Sequence, residues 1–260
     1  MNTNPAERNK MIELSLRQLL DSFPIAGPIL NNILFEYRSQ VRQDRLNHFV
    51  SMLEAEFSKL TIDPKTMQTE DNLDLFESII KKATETKSEK KRRGLKNILL
   101  NGIKQQADIS YCELFAEQLM SIHQKELEIL AFHQYYLIDG KGPLTRRNEL
   151  KAEAAELNRM LQAGVQPMTK INDLMYIPKP RTAAVIAPEI SNAEYMLSDY
   201  KEKCIPEVFC ITNDELKFFF QNLLSKGLVR DDGVGTHGVG TTEIMSITGL
   251  GVKFLEYIHL

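Results

Sequence analysis

Cysteine is scarce in this chain of 260 residues: Cys112, Cys204 and Cys210 are all there are. An odd, scattered set builds no disulfide framework, and without a Cys-x-x-Cys there is no thiolate pair for zinc. Apolar runs are short, none reaching the ~18 residues of an ordinary membrane-spanning helix. Met1 to Lys10 is polar and lacks the apolar stretch of a signal peptide, so the reducing cytoplasm is the expected compartment. Charge of one sign is lacking too. The 32 basic and 35 acidic residues leave a net charge of −3, which gives no whole-protein pull on nucleic acid or on acidic substrates. No Gly-x-Ser-x-Gly elbow and no His-Glu-x-x-His motif occurs. Among the five histidines, His123 has Glu126 one turn on, but a carboxylate-bridged metal bundle needs Glu-x-x-His from two helices and two further glutamates. Neither copy of that pattern is present. No catalytic residue, metal, cofactor or small-molecule substrate is expected.

Helical periodicity, by contrast, is plentiful. Ala6 to Phe23 reads as a first helix, ended by Pro24. Gly27-Pro28 starts a long amphipathic helix to about Leu60, carrying Leu46, Phe49, Leu53 and Phe57 on one face. Its polar middle, Arg38 to Arg45, is expected to meet solvent or to pair across helices. Thr69 or Asp71 can cap a third helix through Leu75, Phe76, Ile79 and Ile80. Ser88 can start a fourth with Leu95, Ile98, Leu99 and Ile103. Asp108 or Ser110 caps a fifth, read as continuous through Leu119, Ile122, Leu127, Leu130 and Phe132. Short connections between five such helices predict a helical bundle over residues 1–139.

Gly140-Lys-Gly-Pro143 is the clearest break, and 140–204 reads as an exposed polar helix, Leu144 to Met160, then an extended linker with Pro167, Pro178, Pro180 and Pro188. Residues 205–260 change character. Thr212 or Asn213 caps a helix to Lys226, Gly227 ends it, and Leu228-Val229-Arg230 reads as a strand. Next come a glycine loop, an alternating strand over Glu243 to Ile247 and a last helix from Thr248. Leu224, Gly227, Leu228 and Val229, with Ile247, Thr248, Leu250 and Gly251, resemble a winged-helix pattern. The expected fold class is therefore mainly α, an N-terminal helical bundle plus a C-terminal winged-helix-like α/β domain.

Two segments invite functional readings. Gly233-Val-Gly235-Thr-His237-Gly238 matches the dinucleotide fingerprint G-x-G-x-x-G, but that site needs a helix after the glycines, where this sequence alternates like a strand. Gly233, Gly235, His237, Gly238 and Gly240 are expected to form a mobile wing loop that binds no nucleotide. The other segment holds Lys81, Lys82, Lys87, Lys90, Lys91, Arg92, Arg93 and Lys96, opposed only by Glu85 and Glu89, a net of +6. This basic contact patch reads first as a solvated helix junction, and it is open to an acidic partner, to weak, salt-sensitive nucleic-acid binding or to peripheral contact with anionic membrane, but with no interleaved aromatic it predicts no base stacking. The tail from Thr212 to Leu260 has four basic residues against six acidic ones, a net of −2, so its helix is a poor match for phosphate. Phe23 to Phe35 is apolar, too short to span a bilayer, and suited to a buried corner or to interfacial insertion.

Pro24-Ile-Ala-Gly27-Pro28 leading into the long helix, Arg42-Gln-Asp-Arg45-Leu-Asn-His-Phe49, and Thr86 to Gly102 resemble the helical bacterial proteins of the abortive-infection alpha (Abi-alpha) family. That resemblance implies a part in defence against phage and carries no catalytic residues. The expectation is a non-enzymatic interaction protein acting through protein–protein contacts or self-association. The rivals are a winged-helix transcriptional regulator and a membrane-acting toxin using the N-terminal helices.

Overall fold

The computed structural model describes residues 40–57, 69–105, 108–163, 182–234 and 238–258. The helix expected over Ala6–Phe23, the apolar segment Phe23–Phe35, Pro167, Pro178 and Pro180 lie outside these residues. Nine helices and one two-stranded sheet are found among the described residues, so the protein is mainly helical. No helix among them is long and apolar enough to cross a membrane. The chain forms two compact units, one of residues up to Ile122 together with those from Lys253 on, the other His123–Val252.

Among the described residues of the first unit, α1 (Gln40–Phe57) comes first in the chain, with Leu46, Phe49, Val50 and Leu53 buried at helical spacing. Arg45, from the polar stretch of that helix, donates to the carbonyls of Thr84 and Glu85, both at 3.2 Å. Those oxygens belong to the last turn of α2 (Glu70–Glu85), where no helical N–H can reach them. Thr69 is the N-cap of α2, as the sequence suggests, and Glu70 and Asp71 put negative charge at the positive end of the helix. Ser88 Oγ accepts the Lys91 N–H at the start of α3 (Glu89–Gln105). On α3, Gly94 and Gly102 face α4 (Ile109–Ser121), and a Cβ on them would come within 2.7 Å of Leu119 Cδ2 and 2.9 Å of Cys112 Sγ. Asp108 caps α4 by accepting the Ser110 N–H at 3.1 Å. Phe115 packs edge-on against Phe254 and Tyr257, ring centroids 5.6 and 5.0 Å apart, so the end of the chain supplies core to this unit.

The fifth helix expected from Asp108 through Phe132 is two helices. Ile122 is extended (φ −78°, ψ 139°), and α5 (Gln124–Tyr135) starts afresh with His123 as its N-cap. The pair noted for metal ligation is the reason. The His123 ring accepts the Lys125 N–H, and Glu126 Oε2 accepts the His123 N–H at 2.5 Å. A reciprocal cap of this kind satisfies two amides that a continuous helix would have bonded internally.

The Gly140 break does not separate the units. Ile138 and Lys141 bond each other across a tight turn in which Asp139 and Gly140 have φ of 51° and 74°, and chain on both sides lies in the second unit. Pro143 then opens α6 (Pro143–Gln162). The linker reading fails over 183–204, nearly all of which is a helix, α7 (Ala183–Lys203), with Pro188 inside it. A proline there removes one helical bond, at a cost of ~3 kcal/mol. Burial of Ile186, Ala193, Leu197 and Tyr200 at helical spacing outweighs it. Helices α6 and α7 pack on each other through Leu150, Ile186 and Ala193 and are tied by Lys151–Glu194 at 2.6 Å and Arg146–Glu189 at 3.1 Å.

The tail keeps the order read from the sequence. Helix α8 (Asn213–Ser225) begins with Thr212, whose hydroxyl accepts the Glu215 N–H while Glu215 accepts the Thr212 N–H. It ends at Gly227, φ 69°, where the Leu228 N–H returns to the Leu223 carbonyl at 3.0 Å. Strand β1 (Val229–Asp231) pairs antiparallel with β2 (Met245–Ile247), Arg230 opposite Ser246. Thr248 Oγ1 then accepts the Gly251 N–H and opens α9 (Gly249–Ile258).

Candidate functional site

The eight basic residues do not form one free patch. Lys82 bonds Glu117 at 2.7 Å and the Ser78 hydroxyl at 3.0 Å. Lys91 donates to the Met120 carbonyl, Arg92 to the Thr86 carbonyl, and Arg93 and Lys96 pair with Glu89 and Glu56. Through Lys82, Lys91 and Lys96 these contacts tie α1, α2, α3 and α4 to one another. Lys81, Lys87 and Lys90 are left exposed, and no ion pair of theirs occurs among the described residues. A groove of about 530 Å³ lies beside Lys81, where Asp74, Glu77, Glu85 and Glu117 face Lys81 and Lys82. Its polar lining is four carboxylates, two lysines and the Ser78 hydroxyl, with no histidine or cysteine.

The glycine loop is ordered at its ends by carboxylates. Asp231 accepts the N–H groups of Gly233 (2.9 Å) and Thr242 (2.6 Å), and Glu243 accepts that of Gly240 (2.7 Å). Gly233 is buried, and a Cβ there would come within 2.9 Å of the Gly240 carbonyl, so this glycine serves close approach and not the wing mobility expected of it. Gly238, φ 80°, has left-handed backbone. Gly235 and His237 lie outside the described residues. The element after the glycines is β2, not a helix, so no helix N-terminus stands where a pyrophosphate would need it.

A buried polar chain went unread in the sequence. His133 Nδ1 lies 2.6 Å from the Ile129 carbonyl, which can only accept, so Nδ1 carries the proton. Nε2 therefore accepts from the Tyr200 hydroxyl at 3.2 Å, and Tyr200 Oη accepts the Met245 N–H at 3.0 Å. The chain fastens β2 to α5 and α7. Complete burial pushes the His133 imidazole down to about 4, and burial pushes the Cys112 and Cys204 thiols up to about 11. At neutral pH the histidine is uncharged and both thiols keep their protons, which suits packing and not nucleophilic attack. The signal was available: His133 stands four residues after Ile129 on the apolar face of α5.

Exposed apolar side chains concentrate in the second unit. Of the twelve large hydrophobics that stand out among the described residues, only Val41 and Leu114 are in the first. Helix α8 buries Leu216, Phe219, Phe220 and Leu223 and turns Asp214, Lys217, Phe218, Gln221 and Leu224 outward. Phe218 is 56% exposed and Leu224 42%. That surface carries two large apolar groups, one lysine and one aspartate at its start, a poor match for a phosphate backbone.

No protein-family model, no curated protein and no solved structure matches the chain.

Proposed function

We propose that the protein is a non-enzymatic interaction protein of the abortive-infection type in bacterial phage defence, and that its second unit is the docking part. One observation carries the docking: the outward face of α8, with Phe218 and Leu224 bare. The resemblance of its N-terminal sequence to Abi-alpha proteins carries the setting. Helix, strand, loop, strand and helix in the tail support a winged-helix-like domain used for protein contact. The near-neutral face of α8 weighs against the DNA-reading alternative, since each phosphate contact wants a cation.

The test is phage plating on a bacterial host expressing the full chain, wild type or with Phe218→Asp and Leu224→Asp together. The expected outcome is a drop in plaque number of at least about tenfold with the wild type, lost in the double variant while its circular dichroism and melting temperature stay unchanged. No drop against any phage overturns the setting; full protection by the double variant overturns the docking face. Nanomolar, sequence-specific DNA binding that fails in Lys217→Glu would replace the reading with a transcription factor.

A further inference from the structure

His123 holds the start of α5 in a way that only an uncharged ring can. Its Nδ1 accepts the Lys125 N–H at 3.2 Å, so the ring proton must sit on Nε2. The residue is exposed, and its ring lies flat on Phe219 of α8, 5.3 Å between centroids and 8° between planes. Protonation makes both ring nitrogens donors. Nδ1 can then no longer accept, and a cation sits at the positive end of a helix.

The charged groups around the ring come from both elements that touch it. On its own helix Glu126 accepts the His123 N–H, and Lys125 is drawn away by Glu128 at 2.9 Å. On α8 stands Glu215, whose carboxyl is held below the usual range by the Thr212 N–H and then by the Thr212 hydroxyl, and which a positive charge on the His123 ring would lower further. Glu215 thus stays ionised where histidine gains its proton, and Phe219 offers the charged ring an aromatic face.

We propose that His123 is a proton-operated cap, which on protonation releases the Lys125 amide and turns to Glu215, exchanging the first turn of α5 for an ionic tie to α8. The proton comes from solvent and returns to it. This inference does not rest on the docking face, although the ring it uses, Phe219, adjoins Phe218.

The experiment is amide exchange and ring-proton NMR on the full chain between pH 8 and pH 5, with exchange rates corrected for their intrinsic pH dependence. Lys125 should lose protection about fivefold, the effect expected of a lost N-cap, in step with the His123 ring titration. His123→Asn keeps a cap that cannot titrate, so its Lys125 protection should be flat. In Glu215→Gln the low-pH contact between the His123 ring and residue 215, read as a nuclear Overhauser effect, should disappear. The proposal is overturned by a Lys125 amide that stays protected while the ring titrates, or by the same loss of protection in His123→Asn. No low-pH contact between the two in the wild type removes Glu215 as the new partner.

Discussion

A residue's place in this protein is best read from what its loss would leave behind. Tyr200→Phe removes one oxygen, yet that oxygen accepts the Met245 N–H, and Met245 is 1% exposed. A buried amide without a partner costs about 1–3 kcal/mol, so urea denaturation of Tyr200→Phe should show a loss of that size. His133 makes the same region sensitive to acid. Its folded value of about 4 lies below the ~6.5 of an unfolded histidine, so between those values the unfolded chain binds the extra proton. Stability is therefore complete above about pH 6.5, falls as pH drops toward 4, and levels off below. The span is roughly 3 kcal/mol by linkage, measurable as a shift in urea midpoint that is absent from His133→Gln. Gly251 is a third case: a Cβ there would strike the Leu228 carbonyl, a backbone atom that cannot step aside. Gly251→Ala should destabilise the hairpin by several kcal/mol, seen as a lowered melting temperature.

Elements meet here through small residues and through long cations reaching foreign carbonyls. Gly94 and Gly102 let α3 approach α4 closely, and Cys112 and Leu75 (3.2 Å) crowd the space a larger side chain at 102 would need. Gly102→Val should overpack that contact by about 1–3 kcal/mol, with thermal unfolding as the measure. The basic stretch around Lys91 behaves likewise. A run of lysine and arginine looks like a surface for anions, yet Lys91 and Arg92 each direct their donors to a carbonyl. The Met120 carbonyl that Lys91 binds is no periodic partner of it, and its position depends on how α3 and α4 cross, which no spacing rule contains.

For the whole molecule, the unit boundary decides how the chain can be cut. A boundary at Gly140 would let residues 1–139 fold alone and leave 205–260 only marginal. Unit 1 in fact uses Lys253–Ile258, with Phe254 fully buried against Phe115 and the carbonyls of Tyr257 and Ile258 bonded by Asn101 and Asn97. A fragment of residues 1–139 lacks these and should melt well below the same unit in the full chain; calorimetry of the two checks this. Equal melting would show the C-terminal turns to be dispensable.

Helix caps at Ser88, Asp108 and Thr212 and the stop at Gly227 were legible in the residues themselves, because each depends on hydrogen bonds closed within about four or five residues. The restart at His123 was not, since a cap and a continuing helix are both locally sound there. Packing also settles that α7 is a helix through Pro188, that Lys82, Lys91 and Lys96 are tied down, and that the last turns of α9 belong with unit 1. In each of these the deciding free energy comes from burial or charge partners tens of residues away, and local pattern carries no record of them.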